Sequence, residues 1–270
     1  MLTQKFLRVV APALFCAVSA GSQAQDVATD TIDAAFDVLG IQFGDGFDDV
    51  SQKLQASGKG YAIDSTRAAL PVPDAEPFRL TLSAKVGDTV LGNFDSIRGD
   101  RDGVTGDWVL ALFSGPPAAE RVMRLTRDVK YEKGEEPAYD QLVGMLVERF
   151  GQPQMFNEWR SQSVLLWAHA PDGSALSQRQ AATCNLSNIT VAHKMINARY
   201  ALSSNARACG EVLRVYISRA IDPGLVTGFQ ASIYNEAAKA HLDQATAELV
   251  STARAKAADA PAAKPKSITW

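Results

Sequence analysis

The chain has 270 residues, 46% hydrophobic and 21% charged, with a formal net charge of −3. That length supports one large domain or two small ones with real cores. The mild acidity gives no support for a surface built for phosphate backbones, so no nucleic-acid partner is expected.

Residues 1–24 have the composition of an export signal. Lys5 and Arg8 open it, an apolar run covers residues 9–20, and Ser22-Gln23-Ala24 places small residues where a signal peptidase reads them. No acidic residue precedes Asp26. The run falls short of the roughly 20 residues that span a bilayer, and Pro12, Ser19, Gly21 and Ser22 interrupt any longer helix. Phe15 stands before Cys16 where a lipid-attachment box takes Gly or Ala. The expectation is a cleaved signal peptide and a periplasmic or secreted protein with no stable membrane span after cleavage. Cleavage removes two of the 27 basic residues and none of the 30 acidic ones, leaving 25 against 30 and a net charge of −5. It also removes Cys16. Cys184 and Cys209 remain, and two cysteines in an oxidising compartment are expected to pair.

Residues 25–33 are small and polar, a flexible leader. Over residues 41–54 the pattern predicts a short amphipathic helix: Gly44-Asp45-Gly46 turns the chain, Asp45 caps, and Phe47, Val50 and Leu54 share a face. The acids Asp45, Asp48 and Asp49 fit a helix start better than a cation site. The period then changes to two. Phe78, Leu80, Leu82, Ala84 and Val86 alternate with Arg79, Thr81, Ser83 and Lys85, which predicts a half-buried strand. Further strands are predicted over residues 89–97, 108–113 (apolar on both sides, hence central) and 123–131. The short connections imply antiparallel neighbours. Pro137 opens a second helix with Tyr139, Leu142, Val143, Leu146 and Phe150 as its stripe, ended by Gly151 and Pro153. Strands follow over 163–168, 212–218 and 225–234, separated by a weakly patterned stretch, 170–208. Asn235 caps a last helix lined by Ala238, Leu242, Ala245 and Leu249. Residues 259–270 form a tail rich in Ala, Pro and Lys, expected to be disordered.

The order of elements predicts an α+β fold of antiparallel sheet packed by two or three helices. It divides into a helix-plus-sheet unit at 34–134 and a second at 135–258, which carries the disulfide and the C-terminal helix; the two stand in tandem or merge into one sheet. Leu39-Gly40-Ile41-Gln42-Phe43-Gly44 running into a capped helix, with the later helix exit Arg149-Phe150-Gly151-Gln152-Pro153, resembles small exported modules of the β-lactamase-inhibitor-protein and small outer-membrane-assembly lipoprotein types. The resemblance implies a helical hairpin on an antiparallel sheet and a role in binding other proteins. The chain departs from the lipoprotein pattern in lacking a lipidated cysteine, and its second helix lacks the glycine lead-in, so no functional residue is carried over.

The motifs of known chemistry are missing. No Gly-x-Ser-x-Gly, Ser-x-x-Lys or His-Glu-x-x-His occurs. Gly58-Lys59-Gly60 lacks the upstream glycine and the hydroxyl of a phosphate loop and reads as a loop after the first helix. Arg98-Gly99-Asp100-Arg101-Asp102-Gly103 lacks the ligand spacing of a calcium loop and reads as a hairpin turn. His169, His193 and His241 are scattered, so no metal and no cofactor is expected. His169 and Asp172, at a strand end, are the catalytic candidates for acid–base work, set against a simple Pro171-Asp172-Gly173 turn. Trp108, Trp159 and Trp167 read as core or sheet-face residues rather than a sugar platform. The function expected is therefore non-enzymatic: an exported protein that binds another envelope or extracellular protein. The alternative is an exported hydrolase using His169 and Asp172.

Overall fold

The computed structural model describes residues 34–72, 75–87, 105–118, 120–159, 161–184, 208–220 and 224–259. The signal, the leader, the strand expected at 89–97, the loop at 98–103, His193 and residues 260–270 of the tail lie outside the described residues, while Asp259 ends the last helix.

The fold is α+β. A two-stranded hairpin, β1 (Asp37–Val38) and β2 (Ile41–Gln42), precedes α1 (Phe47–Ala56) and the strands β3 (Ala62–Ala68), β4 (Phe78–Val86), β5 (Gly106–Phe113) and β6 (Val122–Lys130). Then come α2 (Tyr139–Phe150), β7 (Met155–Glu158), β8 (Gln162–Ala168), α3 (Gln178–Cys184), β9 (Glu211–Arg219), β10 (Val226–Asn235) and α4 (Glu236–Asp259). Strands β3 to β10 form one antiparallel sheet in the order β3-β4-β5-β6-β10-β9-β8-β7. Each half of the chain is thus a helix followed by a four-stranded meander. The halves join where β6 pairs with β10, Arg127 opposite Ala231.

Local chemistry explains the elements. Leu39 and Gly40 both take positive φ, 60° and 75°, as a two-residue hairpin turn requires. The cap of α1 sits one residue later than the sequence suggests: the Gly46 N–H donates to Asp49 Oδ2 at 3.0 Å. Asp45 instead accepts from the Gln42 N–H at 2.8 Å and from Lys53 Nζ at 2.6 Å. The exit of α2 at Gly151 is fixed by Trp167, whose Nε1 donates to the Gly151 carbonyl at 2.8 Å. Asn235 caps α4 by accepting the Ala238 N–H at 2.9 Å. Gly106, at φ 145°, starts β5 so close to β4 that a Cβ would stand 2.4 Å from the Val86 carbonyl oxygen.

The sheet buries both faces unequally. One face, built from Leu82, Val109, Ala111, Leu125, Ala231, Ile233, Val215 and Leu165, packs under α1, α2 and the hairpin with Phe36, Ile41, Val50, Leu54 and Leu142. Behind the second half, Val164, Leu166, Ala168, Val212 and Tyr234 pack against α3 and the cysteines. Cys184 and Cys209 are joined, Sγ to Sγ 2.05 Å, and the Tyr234 hydroxyl donates to the Cys184 carbonyl at 2.9 Å. Closing a segment of 25 residues is expected to contribute about 3 kcal/mol. A Cys184→Ala/Cys209→Ala variant should lower the urea midpoint accordingly, and an unchanged midpoint would show that the bond restrains nothing the unfolded chain explores.

Candidate functional site

The structure places His169 and Asp172 in separate roles. The His169 ring stacks on Phe36, centroids 4.9 Å apart with 22° between planes, and burial lowers its pKa. Its backbone N–H donates to the Glu211 carbonyl at 2.9 Å and its carbonyl accepts from Gly210 at 2.8 Å. The Glu211 carboxylate in turn accepts the Ala35 and Phe36 N–H groups at 2.8 and 3.1 Å, so this corner fastens residues 35 and 36 to β9. Asp172 is exposed. It accepts from the Ser174 N–H at 2.9 Å and from the Ser174 hydroxyl at 2.7 Å, bonds that hold its carboxyl below the ordinary range and close an Asx turn. No hydrogen bond joins His169 to Asp172 among the described residues.

Two ionic groups occupy the middle of the sheet, one on each face. On the helix face, Asp107 accepts Arg127 Nε at 2.9 Å and Nη2 at 2.6 Å, and Lys59 Nζ at 2.6 Å. Burial pushes the Asp107 carboxyl up, but Arg127 and then Lys59 outweigh it and hold it below its usual range. Arg127 also lies 5.5 Å from the Phe229 ring centroid. Lys59 of the Gly58-Lys59-Gly60 loop therefore works as an ion-pair partner. On the opposite face Asp128 is buried beside a Thr126–Ser232 hydroxyl pair and accepts from Gln230 Nε2 at 3.3 Å. Burial pushes its pKa up to about 6. These groups are enclosed and mutually engaged, which suits a structural role. Asp45, Asp48 and Asp49 each have their own partner as well (Lys53, Arg79 and the Gly46 N–H), and among the described residues no three metal-ligating side chains gather.

The sheet edges differ from one another. β3 closes one end with exposed Asp64 and Arg67 and a register shift at Thr66/Arg67, devices that discourage pairing with another chain. β7 closes the other. Its four residues, Met155-Phe156-Asn157-Glu158, include no Pro, no Lys and no bulge, and among the described residues none of their backbone groups bonds outside the β8 ladder. Phe156 is 46% exposed and Trp159, in the turn that follows, 54%. Arg219 fixes this aromatic edge. One Nη donates to Glu158 at 2.6 Å, the other to the Trp159 carbonyl, and its guanidinium lies 4.7 Å over the Tyr139 ring. The Trp159 N–H donates to the Gln162 carbonyl at 2.7 Å.

Family models, curated proteins and solved structures give no match to this chain.

Of the three tryptophans singled out in the sequence, Trp108 and Trp167 are buried and only Trp159 faces solvent. No platform of stacked indoles exists among them. Phe156 gave no signal in the sequence: between Gly151-Gln152-Pro153 and Trp159 it sits in what reads as a loop. Nor did Arg219, whose role depends on a contact across 60 residues.

Proposed function

We propose that this is an exported, non-enzymatic protein of the periplasm or extracellular space that binds another protein through the β7 edge. Residues 1–24 supply the export signal, and the paired cysteines suit an oxidising compartment. Among the described residues no helix is long and apolar enough to cross a membrane. The observation that carries the proposal is the exposure of two large apolar side chains three residues apart at the β7 end of the sheet, Phe156 on the strand and Trp159 in the turn after it. Scattered single apolar residues are ordinary, whereas aromatic anchors set on a rigid frame are what binding surfaces concentrate. Arg219 fixes the backbone beneath Trp159 in advance, so little ordering remains for the moment of association.

The test is crosslinking and co-purification from envelope extract, with the wild type beside Phe156→Ala/Trp159→Ala and a Leu249→Ala control. The expected outcome is a stoichiometric partner retained by the wild type and by the control, and lost by the double variant. A partner captured equally by all three would remove the edge from the account, and no partner at all would remove the function.

A further inference from the structure

We propose that Arg214 anchors a binding site for a small anion, a carboxylate or phosphate group, on the face of the sheet that packs against α3. The site is separate from the β7 edge and does not depend on it. Arg214 lies in the middle of β9, with Ser232 of β10 directly opposite on one side and Leu166 of β8 on the other. Directly opposed residues share a face, so its side chain stands where Leu166, Val212 and Tyr234 pack against α3. Arg214 is only 9% exposed. Yet among the described residues its guanidinium has neither a hydrogen bond nor an ion pair. The fully buried side-chain nitrogens and oxygens without a partner are Tyr61 Oη and Arg219 Nε. The Arg214 nitrogens are not among them, so they stay within reach of solvent. The stem is buried and the charged head is open to an incoming group.

The acids of the surrounding elements answer to other groups. Asp128 of β6 is set against Gln230 and Lys130, and Glu236 of α4 against Lys239 and Arg124. Glu211, on the same strand as Arg214, holds the Ala35 and Phe36 N–H groups on the opposite face. The Arg214 charge bears instead on the Tyr234 hydroxyl, which donates to the Cys184 carbonyl and which burial pushes up to about 12 against the pull of that charge. The neighbourhood adds donors rather than acceptors. Thr126 and Ser232 are buried with their hydroxyl oxygens 3.1 Å apart. The pair holds two protons and spends one on itself, so among the described residues one is left to donate. Packing alone does not call for an arginine here. Leu166 and Val212 fill the adjoining positions with apolar side chains, and a methionine would fill this one with no charge to desolvate. A planar guanidinium with its fork unspent is the group that grips carboxylate and phosphate oxygens in pairs.

Calorimetric titration of the purified protein with sodium phosphate and, separately, sodium succinate, at matched ionic strength in chloride, tests this. The expected result is saturable binding of at least one of the two by the wild type. Binding should weaken at least about tenfold in Arg214→Lys, which keeps the charge and loses the fork, and should vanish in Arg214→Met. Arg254→Gln, on the exposed end of α4, should bind as the wild type does. Saturation by phosphate alone assigns a phosphate ligand, by succinate alone a carboxylate, and by both the charge they share. Urea unfolding supplies a second readout. In chloride alone the Arg214→Met midpoint should be no lower than that of the wild type, since no partner is orphaned. The binding anion should then raise the wild-type midpoint and leave that of Arg214→Met in place. Saturable binding of neither anion, equal binding by Arg214→Met, or an Arg214→Met midpoint well below wild type in chloride overturns the proposal. Such a failure leaves the function proposed for Phe156 and Trp159 untouched.

Discussion

Arg127→Met is expected to lower the free energy of unfolding by about 3–5 kcal/mol at neutral pH, the usual consequence of stripping one member from a buried ion pair. Asp107 is only 7% exposed, and Arg127 supplies two of its three charge-assisted bonds. Without Arg127 the carboxylate keeps the Lys59 ammonium, whose side chain is partly in water, and the neighbouring Tyr61 hydroxyl. Adding Asp107→Asn should recover much of the loss, because the penalty lies in the orphaned charge. Urea denaturation of the single and double variants measures both values. A single variant within about 1 kcal/mol of wild type would show that the pair is as solvated as a surface bridge. The pH dependence follows the same bonds. The folded pKa of Asp107 is depressed, so its contribution is present above the unfolded value and is lost as pH falls through the folded one.

Asp128 acts with the opposite sign. Burial raises its pKa from 3.8 to about 6, against the smaller lowering by the Gln230 amide and the Lys130 charge. A raised folded pKa means the protonated group favours the fold below the unfolded value, and that this advantage is lost as pH rises through about 6. At pH 8 the ionised carboxylate therefore costs up to about 3 kcal/mol, taking the shift at 1.36 kcal/mol per unit. Asp128→Asn keeps an oxygen for Gln230 Nε2 and removes the charge. The expected result is a higher midpoint than wild type at pH 8 and convergence of the two below pH 4, followed by thermal or urea unfolding across that range. A variant less stable at both ends would mean that the carboxylate has a compensating partner.

Much of the frame could be read from residues alone, for a physical reason. β4 alternates because one of its faces meets α1 and the other does not, and α2 shows its stripe because Tyr139 and Leu142 are the side that packs. β5 reads as apolar on both sides because both of its faces are covered, Trp108 and Leu112 on one and Val109 and Ala111 on the other. The elements that escaped are those whose form comes from their neighbours. β3 sets Ile63 against the core but is otherwise mostly polar, so Asp64, Ser65, Thr66 and Arg67 show no period, and its strand character comes from pairing with β4. β7 has four residues and exists through β8. α3 is a short helix held by the disulfide and by the face of the sheet. The candidate site suffered most, since an edge is a property of strand order. No local pattern announces that β7 has one neighbour where β8 has two.

The most direct measurement of the central claim is the affinity of the captured partner for the purified protein, by calorimetry, with wild type and with Phe156→Ala/Trp159→Ala. Two anchors each contributing about 2 kcal/mol or more correspond to a loss of several hundred-fold or greater. The Leu249→Ala control should bind as the wild type does. Equal affinity for wild type and double variant, with both folded, would contradict the assignment of the β7 edge as the binding surface.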